Sequence, residues 1–181
     1  MNSPLYKMYT EIVVPALKAE GGYKNVMQVP QIKKVVLNVG YGRHAKDKQY
    51  IERVERTLTL VTGQKPVRNK ATKSISNFKI RQGMEIGSSV TLRGDHMYNF
   101  LYRLINLTLP RVRDFRGLTA KSFDRQGNYA LGLKEQLAFP EISGDAADSI
   151  HGLQIIITTS ARTQKEGLAL LKKIGFPFTQ K

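Results

Sequence analysis

The sequence predicts an α+β fold: a two-layer sandwich of one antiparallel sheet with helices on one face. Three observations lead there. Period-two and period-3.6 apolar patterns follow one another in the order strand–helix–strand–strand–helix–strand, with helices added at both ends. That is the order of a split βαβ, ferredoxin-like or RRM-like sandwich. The chain of 181 residues, 41% hydrophobic, is long enough to bury a core as one domain over 1–181. Two of the strands keep polar residues at alternate positions, which leaves a sheet face for something other than helices.

Ser3-Pro4 reads as an N-cap with proline in the first turn, opening a helix from Pro4 to Glu20. Pro15 inside it predicts a kink or an early stop, and Gly21-Gly22 ends it. A strand is expected at Lys33–Val39, where Val35, Leu37 and Val39 alternate with Lys34, Val36 and Asn38, and Gly40-Tyr-Gly42 breaks it. Asp47–Thr62 carries Ile51, Val54, Leu58 and Val61 at helical spacing, with Gly63 just past the end. A short strand fits Lys65–Asn69.

Ala71–Met84 has no sustained period, and a long irregular loop in a domain of this size is usually functional or disordered. Glu85–Arg93 reads as a strand with Ile86, Ser88, Val90 and Leu92 on one face and Gly87, Ser89, Thr91 and Arg93 on the other. Asp95 is placed as the cap of a helix with the stripe Met97, Phe100, Leu101, Leu104, Ile105 and Thr108, ending before Pro110. Strands follow at Asn128–Leu133 and Leu153–Thr159. Thr163-Gln-Lys-Glu166 is a capping-box pattern ahead of a last helix closed by Gly175.

Composition narrows the function. There is no Cys, which removes disulfides, a thiol nucleophile and thiolate metal sites. No uncharged apolar run is long enough to span a bilayer, and the start lacks the apolar core of a signal peptide. Lys plus Arg outnumber Asp plus Glu by 29 to 14, a formal charge of +15 that calls for an anionic partner. The surplus is clustered. Lys65, Arg68, Lys70, Lys73, Lys79 and Arg81 lie together without an acid, and Arg103, Arg111, Arg113, Arg116, Lys121 and Arg125 form a second group. Glu135–Ala161 holds four acids and no Lys or Arg. The denser cluster reads as strand and loop, not as an amphipathic helix, so nucleic acid is preferred and no membrane partner is expected.

Catalytic chemistry is unsupported. His44, His96 and His151 have no ligand spacing and are expected at the surface or in contacts, so no metal and no cofactor are assigned. Gly40-Tyr-Gly42 is only a GxG, and no phosphate loop or GxSxG elbow occurs. The RRM signature is missing as well, and the open face lacks stacking aromatics. Lys34, Asn38, Thr91 and Arg93 on an open sheet suit phosphate, 2′-OH and base-edge contacts of structured RNA. The same alternation also fits an ordinary solvated sheet face.

Eleven strings in order carry a resemblance. Among them are Val26-Met-Gln-Val-Pro30, Val36-Leu-Asn-Val-Gly40, Thr62-Gly-Gln-Lys-Pro66, Asn77-Phe-Lys-Ile-Arg-Gln-Gly83, Val90-Thr-Leu-Arg-Gly94, Leu109-Pro-Arg-Val-Arg-Asp-Phe-Arg-Gly117 and Phe139-Pro-Glu-Ile142. Together they resemble, nearly end to end, the family of universal large-subunit ribosomal protein five of the bacterial type, which binds 5S ribosomal RNA. The resemblance implies a non-catalytic constituent of the large subunit that anchors 5S rRNA in the central protuberance. It assigns 5S rRNA contact to Lys34, Asn38, Gln64 and Thr91, with Arg93 beside them on the polar face. The basic loop 71–84 corresponds to a segment facing the P-site tRNA, with Lys73, Ser74, Asn77, Lys79 and Arg81 as its contact residues. Arg68, Lys70, Arg111, Arg113 and Arg116 are further contact candidates for rRNA, including the 23S-type molecule.

The implied protein partners are the small-subunit head protein thirteen, for which the cation-free Glu135–Ala161 is a plausible surface, and other central-protuberance ribosomal proteins. Two departures stand out: Arg43-His44 follows the glycine pair where small or acidic residues are usual, and Arg125 replaces a glycine, at an expected cost in turn geometry. The competing readings are an RNA-modifying enzyme and a generic RNA chaperone with a basic face.

Overall fold

Alternating burial from Lys34 to Gly40 marks the first strand, β1 (Ile32–Gly40), and the last two strands alternate throughout. The computed structural model describes residues 3–142 and 150–179. Helical segments α1 (Pro4–Met8) and α2 (Val14–Gly21) precede β1. Then come α3 (Lys48–Thr62), β2 (Val67–Lys70), β3 (Glu85–Leu92), α4 (Gly94–Arg103), α5 (Leu109–Arg111), β4 (Tyr129–Leu133), β5 (Leu153–Thr159) and α6 (Gln164–Ile174). The five strands form one antiparallel sheet in the order β2-β3-β1-β5-β4, an α+β fold as the periodicities predict. In β1, Val35, Leu37 and Val39 are buried while Lys34, Val36 and Asn38 are half-exposed. In β3, Ser88, Val90 and Leu92 are buried, Ser89 is half-exposed and Thr91 exposed. One covered and one open face per strand is what period two produces in a half-buried sheet.

The chain divides into two compact units. The first comprises Met1–Val35, Leu92–Leu131 and Ile156–Lys181. In it α1 packs on α4, and Tyr6 meets Tyr98 edge-on with ring centroids 5.1 Å apart. Tyr9 donates its hydroxyl to the Pro30 carbonyl at 3.0 Å; burial pushes its pKa up to about 12. A second aromatic cluster joins Phe123, Tyr129 and Phe178, with Tyr129 4.6 Å from Phe123 and 5.5 Å from Phe178.

Both internal prolines of this unit sit where the sequence predicts a kink or a stop, and at neither does the helix stop. A turn of π-helix, Tyr9–Val13, runs straight into Val14-Pro15, and another, Leu104–Thr108, runs into Leu109-Pro110. Proline has no N–H to donate, and its ring collides with the carbonyl four residues back. The wider i→i+5 turn removes that demand for one residue, so the helix passes through. The expected end before Pro110 is therefore corrected to Arg111.

Three end signals are also corrected. Ser3 occupies the N-cap position of α1, but its hydroxyl is buried without a partner and caps nothing. Asp95 does not cap α4: the chain enters the helix two residues early, Arg93 holds the extended cap position, and Asp95 falls in the first turn. β2 starts at Val67, since buried Pro66 has no N–H for the ladder. The last box holds in its forward half: the Glu166 N–H donates to Thr163 Oγ1, while the Glu166 carboxylate reaches one residue past the cap and accepts from the Arg162 N–H at 2.8 Å.

The backbone at Arg125 does not need a glycine. Within the first unit the turn is organised by Asp124, whose carboxylate accepts from the Gln126 N–H at 2.9 Å, the Asn128 N–H at 2.7 Å and the Asn128 side-chain amide at 2.7 Å. Partial desolvation works to raise the Asp124 pKa, but these hydrogen bonds outweigh it and hold the group below its ordinary value. The positive φ falls on Gly127, at +77°, and a Cβ there would stand 2.7 Å from the Thr163 carbonyl oxygen. Arg125 is exposed and has no positive φ.

The second unit comprises Val36–Thr91 and Gly132–Ile155. Its helix α3 is capped by Asp47, which accepts from the Tyr50 N–H, and ends at left-handed Gly63. The expected stripe of Ile51, Val54, Leu58 and Val61 is buried.

Candidate nucleic-acid interface

The second unit carries most of the polar residues singled out in the sequence. The Tyr41 N–H donates to the Ile86 carbonyl at 2.9 Å, which sets β1 against β3. Counting back along both strands puts Asn38, Ser89 and Thr91 on one face, opposite the buried face of Leu37, Val39, Ser88 and Val90. β2 continues that face through its pairing of Val67 with Ser89 and Asn69 with Gly87, and the Asn69 amide donates to Ser89 Oγ at 3.1 Å. Neither Asn38 nor Thr91 hydrogen-bonds through its side chain to any described residue. Both therefore offer an amide or hydroxyl outward from a fixed backbone.

Beneath that face is a tether the sequence reading overlooked. Tyr41 is almost wholly buried, and its hydroxyl lies 3.1 Å from Ser88 Oγ, itself fully buried. Burial, the largest influence, pushes the Tyr41 pKa up against the opposing effect of this hydrogen bond. Reading the β1 alternation two residues past Val39, through Val35, Leu37 and Val39 to position 41, would have found it. The same extension backward from Leu153 reaches His151, expected at the surface or in contacts and in fact buried.

Gln64 stands in the α3–β2 connection and not on a strand. Its N–H donates to Thr62 Oγ1 at 3.2 Å, which in turn donates to the Leu58 carbonyl at 2.6 Å. Lys34, half-exposed on β1, and Arg93, exposed after β3, belong to the first unit, as do the exposed Arg111, Arg113 and Arg116.

The basic segment 71–84 is more ordered than its lack of periodicity implies. Ala71 N–H donates to the Met84 carbonyl at 2.8 Å and Gly83 N–H to the Ala71 carbonyl at 2.9 Å, prolonging the β2–β3 hairpin. Nearer the tip, Ile75 and Ile80 form a two-bond antiparallel bridge around Ser76–Phe78. Ser74 Oγ accepts from the Gln82 N–H at 2.9 Å, so this residue braces the hairpin. Lys73, Asn77, Lys79 and Arg81 are exposed, and Lys79 adopts a left-handed φ of 54°. The three cations make no ion pair with a described residue.

Arg68 differs. Its guanidinium forks onto Glu55, with one bond of 3.0 Å, and reaches Glu85 at 3.1 Å; the Glu55 hydrogen bond and charge, then Glu85, hold its pKa well above the usual value. It is already neutralised, while Lys70 next to it is exposed. Of the cation-free segment, Asp145 and Asp148 lie outside the described residues. Among the described residues no cluster of His, Asp and Glu has the arrangement of a metal site.

The ribosomal protein L5 family model matches residues 25–81, and the model of the ribosomal L5P family C-terminus matches residues 85–178. Three similar proteins all carry the name large ribosomal subunit protein uL5. That of Thermosipho africanus is 54% identical over 97% of this chain and 97% of its own. That of Halothermothrix orenii is 52% identical over 98% and 99%, and that of Francisella tularensis 56% identical over 94% and 95%. The polar sheet face, the basic hairpin and the run of motifs thus occur in a chain that belongs to the L5 family of large-subunit ribosomal proteins.

Proposed function

We propose that this chain anchors 5S rRNA in the large ribosomal subunit through the open face of β1 and β3, and that the hairpin 71–84 reaches the P-site tRNA. As a family member it is a structural, non-enzymatic constituent of the large subunit and works with the ribosome in the cytoplasm. One observation carries the finer reading. Asn38 and Thr91 present unpaired polar side chains on a backbone fixed from beneath by the Tyr41–Ser88 tether. Uncharged groups on a rigid sheet suit 2′-OH and base-edge recognition, while cations around them supply attraction to phosphates. On this reading Asn38, Gln64 and Thr91 do the recognising, and Lys34 and Arg93 add charge.

The hairpin's exposed Lys73, Lys79 and Arg81 suit the backbone of a second RNA, the P-site tRNA, with Asn77 near its tip. Arg111, Arg113, Arg116 and Lys70 are assigned to further rRNA phosphates of the 23S type. The cation-free segment is assigned to basic small-subunit head protein thirteen, and the remaining surface to neighbouring central-protuberance proteins.

The test is 5S rRNA binding by the purified protein against unrelated structured RNAs of equal length. Preference for 5S rRNA is expected, reduced about fivefold by Asn38→Ala and by Thr91→Ala, the value of one hydrogen bond near 1 kcal/mol. Equal affinity for every RNA would favour a general chaperone. Unchanged affinity in both variants would remove the sheet face from the account.

A further inference from the structure

Within the second unit an open cleft of about 600 Å³ lies where β1 runs out, beside the segment that leads into β5. Its walls bring together Arg43, His44, Tyr50, Phe78 and His151. Three observations make it more than a crevice. The His44 and Tyr50 rings stack at 4.5 Å with planes 27° apart, giving a flat π surface at the mouth. Phe78, from the basic hairpin, lines the same cleft and is 69% exposed, a large ring left in water at evident cost. His151 is 95% out of solvent, and neither ring nitrogen has a hydrogen-bond partner among the described residues.

Orphaned buried polar atoms of this kind are rare in folded proteins. Burial lowers the His151 pKa, so the ring is neutral, with one N–H donor and one bare acceptor. Its main chain is satisfied, the N–H donating to Gln136 Oε1 at 2.7 Å, so the ring alone lacks partners.

We propose that this cleft receives one unstacked nucleotide of RNA. The base would stack on the exposed rings of Phe78 and His44, the latter backed by half-buried Tyr50, its edge would take up the donor and acceptor of His151, and its phosphate would meet Arg43. Faces suited to stacking, a neutral donor–acceptor edge and a cation are the three kinds of group that single-stranded RNA recognition uses. The ring nitrogens are shut off from water in the free protein, so seating the base edge requires a neighbouring side chain to move. The proposal rests on the RNA-binding reading but concerns a different surface from the sheet face.

The experiment titrates the full chain with each of the four nucleoside 5′-monophosphates, and with inorganic phosphate, following the His44 ring resonances. At least one nucleotide is expected to saturate, with a dissociation constant on the order of 1 mM, the strength of a few such contacts. Phe78→Ala removes an exposed ring and leaves the core intact; it should weaken nucleotide binding roughly tenfold, the worth of one base stack. His151→Phe, which keeps a ring in the site, should weaken it as well. Neither variant should change 5S rRNA affinity through the sheet face. No saturable shift with any nucleotide, an unchanged affinity in Phe78→Ala, or equal shifts from inorganic phosphate would overturn the cleft. Loss of 5S binding in Asn38→Ala with nucleotide binding intact leaves the two readings separable, and intact 5S binding without nucleotide binding defeats only the cleft.

Discussion

Asn38 and Thr91 on the sheet, and Lys73, Lys79 and Arg81 on the hairpin that extends from it, lie in the same unit but offer an RNA opposite things. The sheet residues are uncharged, and the strands that hold them are fixed by ladder bonds and by the buried Tyr41–Ser88 pair. The hairpin residues are charged, and a few main-chain bonds at Ala71–Met84 and Ile75–Ile80 hold their support. A polar group on a rigid support discriminates, because a wrong partner leaves it unpaired. A cation on a long side chain attracts any phosphate, and salt screens it. The difference teaches that the +15 charge measures attraction and says little about which RNA is chosen.

The largest way to break the comparison is to remove the hairpin tip. Replacing 73–81 with a short turn is expected to abolish this chain's contribution to tRNA retention on assembled ribosomes while 5S rRNA affinity at low salt stays within about threefold. Collapse of 5S binding in a filter assay would show that the two surfaces are not distinct. Changing Lys73, Lys79 and Arg81 together to Gln is gentler. The log–log salt dependence of binding to any RNA that reaches the hairpin should flatten by roughly two to three units, about 0.7 to 0.9 per lost phosphate contact.

Rigidity is tested by Tyr41→Phe. Ser88 loses its partner in the core, and chemical denaturation should show a loss of about 1 kcal/mol. The pH dependence has a definite sign. A raised native pKa means that the unfolded chain ionises first. The Tyr41 contribution is therefore complete below the ordinary tyrosine value of about 10 and is lost as pH climbs through the raised native one. Between those two values the variant should lose stability less steeply than the parent, and an identical alkaline slope would count against the tether. The smallest effect is expected for Arg68→Gln. Its charge is already spent on Glu55 and Glu85, so the salt dependence of RNA binding should hardly move. A full unit of change would mean that the ion pairs open to release Arg68 to a phosphate.

The strands, α3 and α6 were legible because alternation and capping are local: Val35, Leu37 and Val39 announce β1, and Thr163 with Glu166 announces α6. The prolines misled because the π turn that carries a helix through Pro15 or Pro110 leaves no mark in the periodicity. Asp95 misled because the entry to α4 is set by backbone angles at Arg93 and Gly94. At the site, Asn38 and Thr91 could be read from strand parity. The neutralisation of Arg68 could not, since Glu55 and Glu85 are 13 and 17 residues distant and meet it only through the fold. Tyr41 and His151 were readable in principle, each one step of two beyond the strand end that the glycines seemed to mark.

The most direct measurement is the affinity of the Asn38→Ala/Thr91→Ala double variant for 5S rRNA across a salt series, beside the parent protein. Recognition by uncharged groups predicts two parallel lines of log K against log salt, displaced by about a factor of 25, two hydrogen bonds near 1 kcal/mol each. Coincident lines, or a change of slope without displacement, would contradict the claim that this face chooses the RNA.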